Sequence, residues 1–324
     1  MFILLCVIAA LAGGPAAPVA AATPDSTAAA VAAPDSLPFL LRDLGVAGVV
    51  PVSLGAPEPS GVASDAFGRL FVSDARAHRV LRFDAQGRFL GGEGTLGSDP
   101  GQFRRPGAVA LHGTLEVVVL DRENRRVARY DLLGHFLGVI IDLEASDLES
   151  EIGRVDPIDL ACDRGGAFAI ADRDQDRVLM FDVGGQFVRA IGGFGAKAGS
   201  FRGLAGLAFT ARGDLVTAER GAGRLQRLDP GGRVAASWPL HAAASEGALP
   251  VAVSGDRVAV ADERSGRLWL FDASGRPLAS RTDLAHPRAI TFANDGTLLV
   301  AEGAHPALRR LIAEPAHADT VRTE

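Results

Sequence analysis

The chain repeats itself. From Gly68 to Gly91 it reads GRLFVSDARAHRVLRFDAQGRFLG, with three short apolar runs at Leu70–Ser73, Val80–Phe83 and Phe89–Leu90. A polar ARAH loop separates the first two, and a tight turn from Asp84 to Gly87 separates the last two. Apolar residues occupy strand positions, while Gly and Asp occupy the points where the backbone reverses. Related stretches start at Gly113, Gly166, Gly213, Gly255 and Gly296. The acid that ends the first run, Asp74, returns as Asp121, Asp172, Glu219, Asp262 and Glu302. A period of about 40–50 residues made of several short strands predicts a propeller rather than a helical solenoid. Six copies predict an all-β fold, a six-bladed β-propeller of four-stranded blades.

The copies share further detail. The first has Pro59, Asp74, Arg79-Val80, Phe83-Asp84 and Gly87, then Gly97 and Gly101-Gln102-Phe103. The third has Pro157, Asp172, Arg177-Val178 and Phe181-Asp182, then Gly195 and Gly199-Ser200-Phe201. This pattern resembles the NHL repeat, in its bacterial exported form, over roughly Pro38 to Ile312. The resemblance implies the propeller fold. It does not select an activity, because such propellers host unrelated functions.

The segment Phe39–Gly45 resembles the outer-strand segments of the repeats, and the sixth repeat stops at Leu311-Ile312 without an outer strand of its own. The N-terminal segment is therefore expected to complete the last blade and close the ring, removing exposed sheet edges. An acid and an Arg five positions on recur as Asp74/Arg79, Asp121/Arg126, Asp172/Arg177, Glu219/Arg224 and Asp262/Arg267, whereas Glu302 faces Ala307. Such pairs across a hairpin predict charge-assisted bonds that hold the blade, not catalytic acids. The acid-rich stretch 142–154 has no counterpart in the other repeats. It reads as a solvated loop or short helical turn, with calcium binding as the sharper alternative despite spacing that matches no loop signature.

The ends differ from the middle. Residues 1–22 are apolar and uncharged and close on Ala20-Ala21-Ala22, which predicts a secretory signal, although no Lys or Arg precedes the apolar run. Residues 23–38 read as a flexible Ala/Pro linker, 39–312 as the propeller and 313–324 as a disordered tail. A periplasmic or secreted monomer, with a cell-surface location as an alternative, is expected, with no membrane insertion of the mature chain. Only Cys162 remains after cleavage, and a buried small apolar role suits it better than that of a nucleophile. With 33 Lys and Arg against 39 Asp and Glu, the net charge of −6 argues against nucleic acid as partner.

Catalytic constellations are sparse. The amidating lyases with this repeat use histidines at the start of the inner strands as zinc ligands. The matching positions here are Ser60, Gly107, Ile158, Ala205, Leu249 and Arg288, none of them a ligand of that kind. Gluconolactonase-like propellers need a Glu, two Asn and an Asp on the axis, where this sequence offers chiefly Asp159. Of the seven histidines, His286 before Pro287 is the one placed near the axis. No cofactor and no metal are implied. Gly92-x-Gly94-x-x-Gly97 opens no helix, so it lacks the physical basis of a dinucleotide fingerprint.

One surface pattern points to binding. Arg76, Arg122, Arg125, Arg173, Arg220 and Arg264 all fall in loops between second and third strands, which share one face of a propeller. A ring of guanidiniums there suits a carboxylate or sugar acid, the opposing reading being a solvated face whose acids cancel the charge. The expectation is an exported, non-enzymatic recognition module for a protein or an extracellular, anionic ligand. The alternative is a metal-dependent lyase or hydrolase using Asp159, Asp156 and His286.

Overall fold

In a computed structural model the described residues are 37–49, 54–241, 247–303 and 307–316. The signal sequence and nearly all of the linker expected from the sequence lie outside them. The first strand, β1 (Phe39–Val49), is held back from its sequence neighbours and joins the last sheet. Blade 1 contains β2 (Pro59–Ser64), β3 (Leu70–Asp74), β4 (Arg79–Phe83) and β5 (Phe89–Glu93). Blade 2 contains β6 (Pro106–His112), β7 (Glu116–Asp121), β8 (Arg126–Asp131) and β9 (Phe136–Asp142). A short helix, α1 (Ser146–Ile152), leads into blade 3, formed by β10 (Pro157–Cys162), β11 (Phe168–Asp172), β12 (Arg177–Phe181) and β13 (Phe187–Gly192). Blade 4 is β14 (Leu204–Phe209), β15 (Leu215–Glu219), β16 (Arg224–Leu228) and β17 (Val234–Pro239). Blade 5 is β18 (Val251–Ser254), β19 (Arg257–Asp262), β20 (Arg267–Asp272) and β21 (Pro277–Arg281). Blade 6 is β22 (Pro287–Phe292), β23 (Leu298–Glu302), β24 (Ala307–Pro315) and then β1. The protein is a six-bladed β-propeller.

The burial follows from this arrangement. Second strands such as β3, β11, β15 and β23 are buried along their whole length, because blades pack on both of their faces. Outer strands such as β5 and β13 alternate, one face against the neighbour and one toward solvent. Each adjacent pair of blades encloses its own apolar cluster, including one that joins Val62 and Val72 of blade 1 to Leu299 and Ala301 of blade 6. The ring is therefore packed all the way round. Among the described residues no helix is long and apolar enough to cross a membrane.

Ring closure takes the expected form. β1 pairs antiparallel with β24, Leu41 opposite Ala313, and Leu41 packs into the core between blades 5 and 6. The strand β24 reaches Pro315, past the Ile312 at which the repeat pattern ends, because Phe39 and Leu40 offer partners to Pro315 and Glu314. The residues just before Phe39 belong to the fold as well: Leu37 is buried, and the Ala316 N–H donates to the Pro38 carbonyl.

The turns explain the recurrent Asp and Gly. In blade 1, Asp65 accepts the N–H groups of Phe67 and Arg69 at 2.9 Å each, and Asp84 does the same for Gln86 and Arg88. Gly185 ends the equivalent turn of blade 3 at φ +80°, and a Cβ there would lie 2.1 Å from the Ile140 carbonyl oxygen. The acid-rich insertion folds as the short helix α1. Ile152 at its end is buried, and its carbonyl accepts the Arg177 guanidinium at 2.6 Å.

Candidate ligand-binding site at the channel mouth

Each inner strand begins beside the end of its second strand, so the connections into the inner strands and the loops between second and third strands share one face. The recurrent acids stand at that junction. Asp172 is fully buried, bonds Arg177 at 2.8 Å and accepts the Asp156 N–H at 3.0 Å. Asp74 and Glu219 repeat this with Arg79 and Arg224 and with the N–H groups of Glu58 and Arg202. The arginines then bond carbonyls of the inter-blade loops, as Arg224 does with Ala196, Lys197 and Ser200. These pairs hold loops to blades.

Two blades depart from the rule. Asp262 takes the guanidinium of Arg220 from blade 4 at 3.1 Å and the Ser265 hydroxyl at 2.7 Å. Glu302, without an Arg at position 307, is met by Arg309 at 3.1 Å, which also holds Asp43 of β1. In blade 6 the replacement guanidinium comes from β24 itself, two residues past the expected position.

A channel of about 720 Å³ runs down the axis. Its wall is formed by inner-strand residues including Ala110, Ile158, Ala161, Ala205, Ala208 and Val253. At its mouth stand Arg105, Arg122, Arg173, Arg220 and Arg288 with Glu58 and Glu263. Three of the six loop arginines expected to form a ring are thus there: Arg122, Arg173 and Arg220. The other three are not among the lining residues. Arg76 reaches Glu58 at 3.6 Å from the rim, Arg125 turns to Glu144 at 3.2 Å, and Arg264 lays its stem beside Gly247. Arg105 and Arg288, which complete the mouth, precede or begin inner strands. Their signal was position, one residue before Pro106 and one after Pro287.

The mouth is largely cross-braced. Arg288 spans Glu58 of the blade 1 lead-in and Glu263 of blade 5, both at 2.8 Å. Burial works to raise the Glu58 carboxyl, but Arg288, Arg105 and Arg76 outweigh it and hold it below the ordinary carboxylate range. Arg173 is bonded through two nitrogens to Asp156, and Arg220 through two to Asp262 and the Gly247 and Ala248 carbonyls. Arg122 is different. Its Nε donates to the Pro157 carbonyl at 3.1 Å, and among the described residues its terminal nitrogens have no partner. Burial, with Arg173 and Arg105 nearby, pulls its pKa down against Asp156 and Asp159.

Deeper in, Asp159 accepts the Leu160 N–H and, across the blade boundary, the Leu207 N–H, both at 2.9 Å. Burial pushes its pKa up to about 6 against those bonds and Arg122. Cys162 is on the same wall, and burial raises its thiol. His286 is exposed outside the channel lining at φ +56°, its carbonyl accepting the Gly303 N–H. The donor set of Asp159, Asp156 and His286 is not assembled: Asp156 is committed to Arg173, and His286 faces away. Among the described residues no three His, Cys, Asp or Glu side chains group to hold a metal ion.

No family model matches the chain. The Protein brain tumor of Drosophila melanogaster is 28% identical over 137 residues, which is 42% of this chain and 12% of that protein. Solved structures share the fold at low identity. Virginiamycin B lyase from Staphylococcus aureus is 15% identical with a TM-score of 0.56, over 86% of this chain and 89% of its own. A gluconolactonase from Xanthomonas campestris is 16% identical with a TM-score of 0.58, over 86% and 98%. A chain of the nidogen/laminin complex is 19% identical with a TM-score of 0.56, over 73% and 85%. These likenesses establish the six-bladed propeller and nothing finer.

Proposed function

We propose that the chain is an exported propeller of the NHL type that works as a non-enzymatic recognition module, taking its partner on the face that carries the channel mouth. The observation that carries this reading is the mouth itself: five arginines from four blades and their lead-ins surround one opening, braced from blade to blade. Fixed guanidiniums around a concave opening favour acidic groups of a partner over a flat neutral surface. The repeat pattern and the partial likeness to the Protein brain tumor support the NHL assignment. The fold neighbour in the nidogen/laminin complex supports a protein partner. Residues 1–22 support export, to the periplasm or beyond.

The reading is tested by affinity capture from extracytoplasmic extract in the presence of a chelator. Wild-type protein is compared with the Arg105→Glu/Arg173→Glu double variant, both checked for an unchanged melting temperature. A partner retained by the wild type and lost by the variant is the expected result. Retention by both, or a partner released by the chelator, overturns it. Separately, the tagged full chain is expected in the extracytoplasmic fraction, and cytoplasmic recovery would remove export from the proposal.

A further inference from the structure

We propose that the channel mouth holds a subsite for a monocarboxylate with a compact apolar body, its head on the terminal nitrogens of Arg122 and its body among the small side chains of the inner strands. This rests on the recognition reading and names the chemistry of its innermost contact.

Four of the five mouth arginines have protein partners that define their place: Arg288 has two carboxylates, Arg173 has Asp156, Arg220 has Asp262 with two carbonyls, and Arg105 stands 3.6 Å and 3.7 Å from Glu58 and Glu123. Arg122 is oriented but not consumed. The Pro157 carbonyl fixes one edge of its planar group through Nε. Its stem crosses the inner strand of blade 2 at Gly107, where a Cβ would lie 2.7 Å from Cδ and 2.9 Å from Cγ. Only glycine leaves that path open. The remaining edge of the guanidinium, on the channel, is a preorganised pair of donors of the geometry that carboxylates accept bidentately.

The surroundings select the class. Glu58, Glu263, Asp156 and Asp159 stand close to the mouth arginines, so the local charge favours one negative charge over two. Below the mouth Ile158, Ala161, Ala205 and Ala208 give the wall apolar patches, with Ser64, Asp159 and Thr291 as polar neighbours. A volume of about 720 Å³ lies within the ordinary size of small-molecule sites.

The probe is 4-phenylbutyrate, titrated calorimetrically into the full chain, with its uncharged amide and inorganic phosphate as controls. Saturable binding of the acid is expected, with the amide and phosphate each at least tenfold weaker. Arg122→Gln and Arg122→Lys are both expected to weaken the acid tenfold or more, since an ammonium lacks the fork. Gly107→Ala should do the same by displacing the stem, and Arg76→Gln on the rim should change nothing. Equal binding of acid and amide, tighter binding of phosphate, or an acid affinity untouched by Arg122→Lys overturns the subsite. The recognition reading fails separately. A partner still lost in the Arg105/Arg173 variant while phenylbutyrate does not bind would leave that reading standing and the subsite refuted.

Discussion

Asp159 presents its carboxylate to Leu207 of the next blade and to its own neighbour Leu160, with Arg122 as the nearest opposing charge. Its folded pKa of about 6 is above the ordinary value of 3.8, so the folded state holds this proton where the unfolded chain has released it. Stability from this group is therefore present at low pH and is lost as pH rises from about 4 through about 6, by up to about 3 kcal/mol. Urea titrations at several pH values should show that slope in the wild type and its absence in Asp159→Asn. A constant difference between the two proteins across the window would refute the assignment. The buried hairpin acids act through ion pairs with the arginines across their hairpins. Asp172→Ala leaves the Arg177 guanidinium without its counter-charge and the Asp156 N–H without its acceptor and should cost about 3–5 kcal/mol, read from the denaturation midpoint. The same change at half-buried Asp84, whose Arg88 partner is exposed, should cost less. The spacing of acid and Arg in the sequence revealed these pairs. It did not reveal that Asp262 would take Arg220 instead, because that bond crosses between blades and has no fixed spacing along the chain.

Strand β1 illustrates what is legible one level up. Its likeness to the outer strands and the truncated sixth repeat together pointed to closure, and β1 does lie against β24. The length of the pairing was not legible, because Ala313–Pro315 carry no repeat signature and are ordered only by partners far away in sequence. Arg309 adds to the join, bonding Asp43 of β1 and Glu302 of β23 together, and Arg281 donates to the Leu41 carbonyl. Removing everything before Val46 strips Leu41 from the core of blades 5 and 6 and leaves β24 as an open edge. That truncation should lower the urea midpoint by the equivalent of several kcal/mol and produce aggregates on size-exclusion chromatography. A truncated protein that melts and elutes like the intact one would mean that blade 6 is stable with three strands. The arginine ring was the less legible element. Five loops carry the six arginines, but whether each turns inward depends on the acid that the neighbouring loop offers. Glu144 draws Arg125 off, and Glu58 holds Arg76 at the rim.

The whole ring behaves as one body for a reason that can be stated pair by pair. Every blade shares an apolar cluster with its neighbours, from the blade 6 to blade 1 cluster around Val62 and Leu299 to the blade 4 to blade 5 cluster around Trp238 and Trp269. No boundary is left thin where the chain passes from last blade to first, since β1 belongs to blade 6 and leads directly into blade 1. Loss of one blade removes two such clusters at once, which makes partly unfolded rings costly and favours a cooperative transition. The two tryptophans give a local probe, as Trp238 ends blade 4 and Trp269 lies in β20 of blade 5. Tryptophan fluorescence and far-ultraviolet circular dichroism should therefore trace superimposable urea curves. An earlier fluorescence transition would show blades 4 and 5 opening first, at the stretch where β18, only four residues long, gives the shortest inner strand among the described residues. The clasp of Arg288 on Glu58 and Glu263 offers the second half of the test. It ties blades 5, 6 and 1 at the mouth, and Arg288→Met leaves Glu263 without that partner. If the ring is a single cooperative unit, this change shifts both curves together, by about 1–3 kcal/mol after allowance for solvent at the partly exposed mouth. A shift in the fluorescence curve alone would show that the clasp steadies one sector and that closure does not spread its effect around the ring.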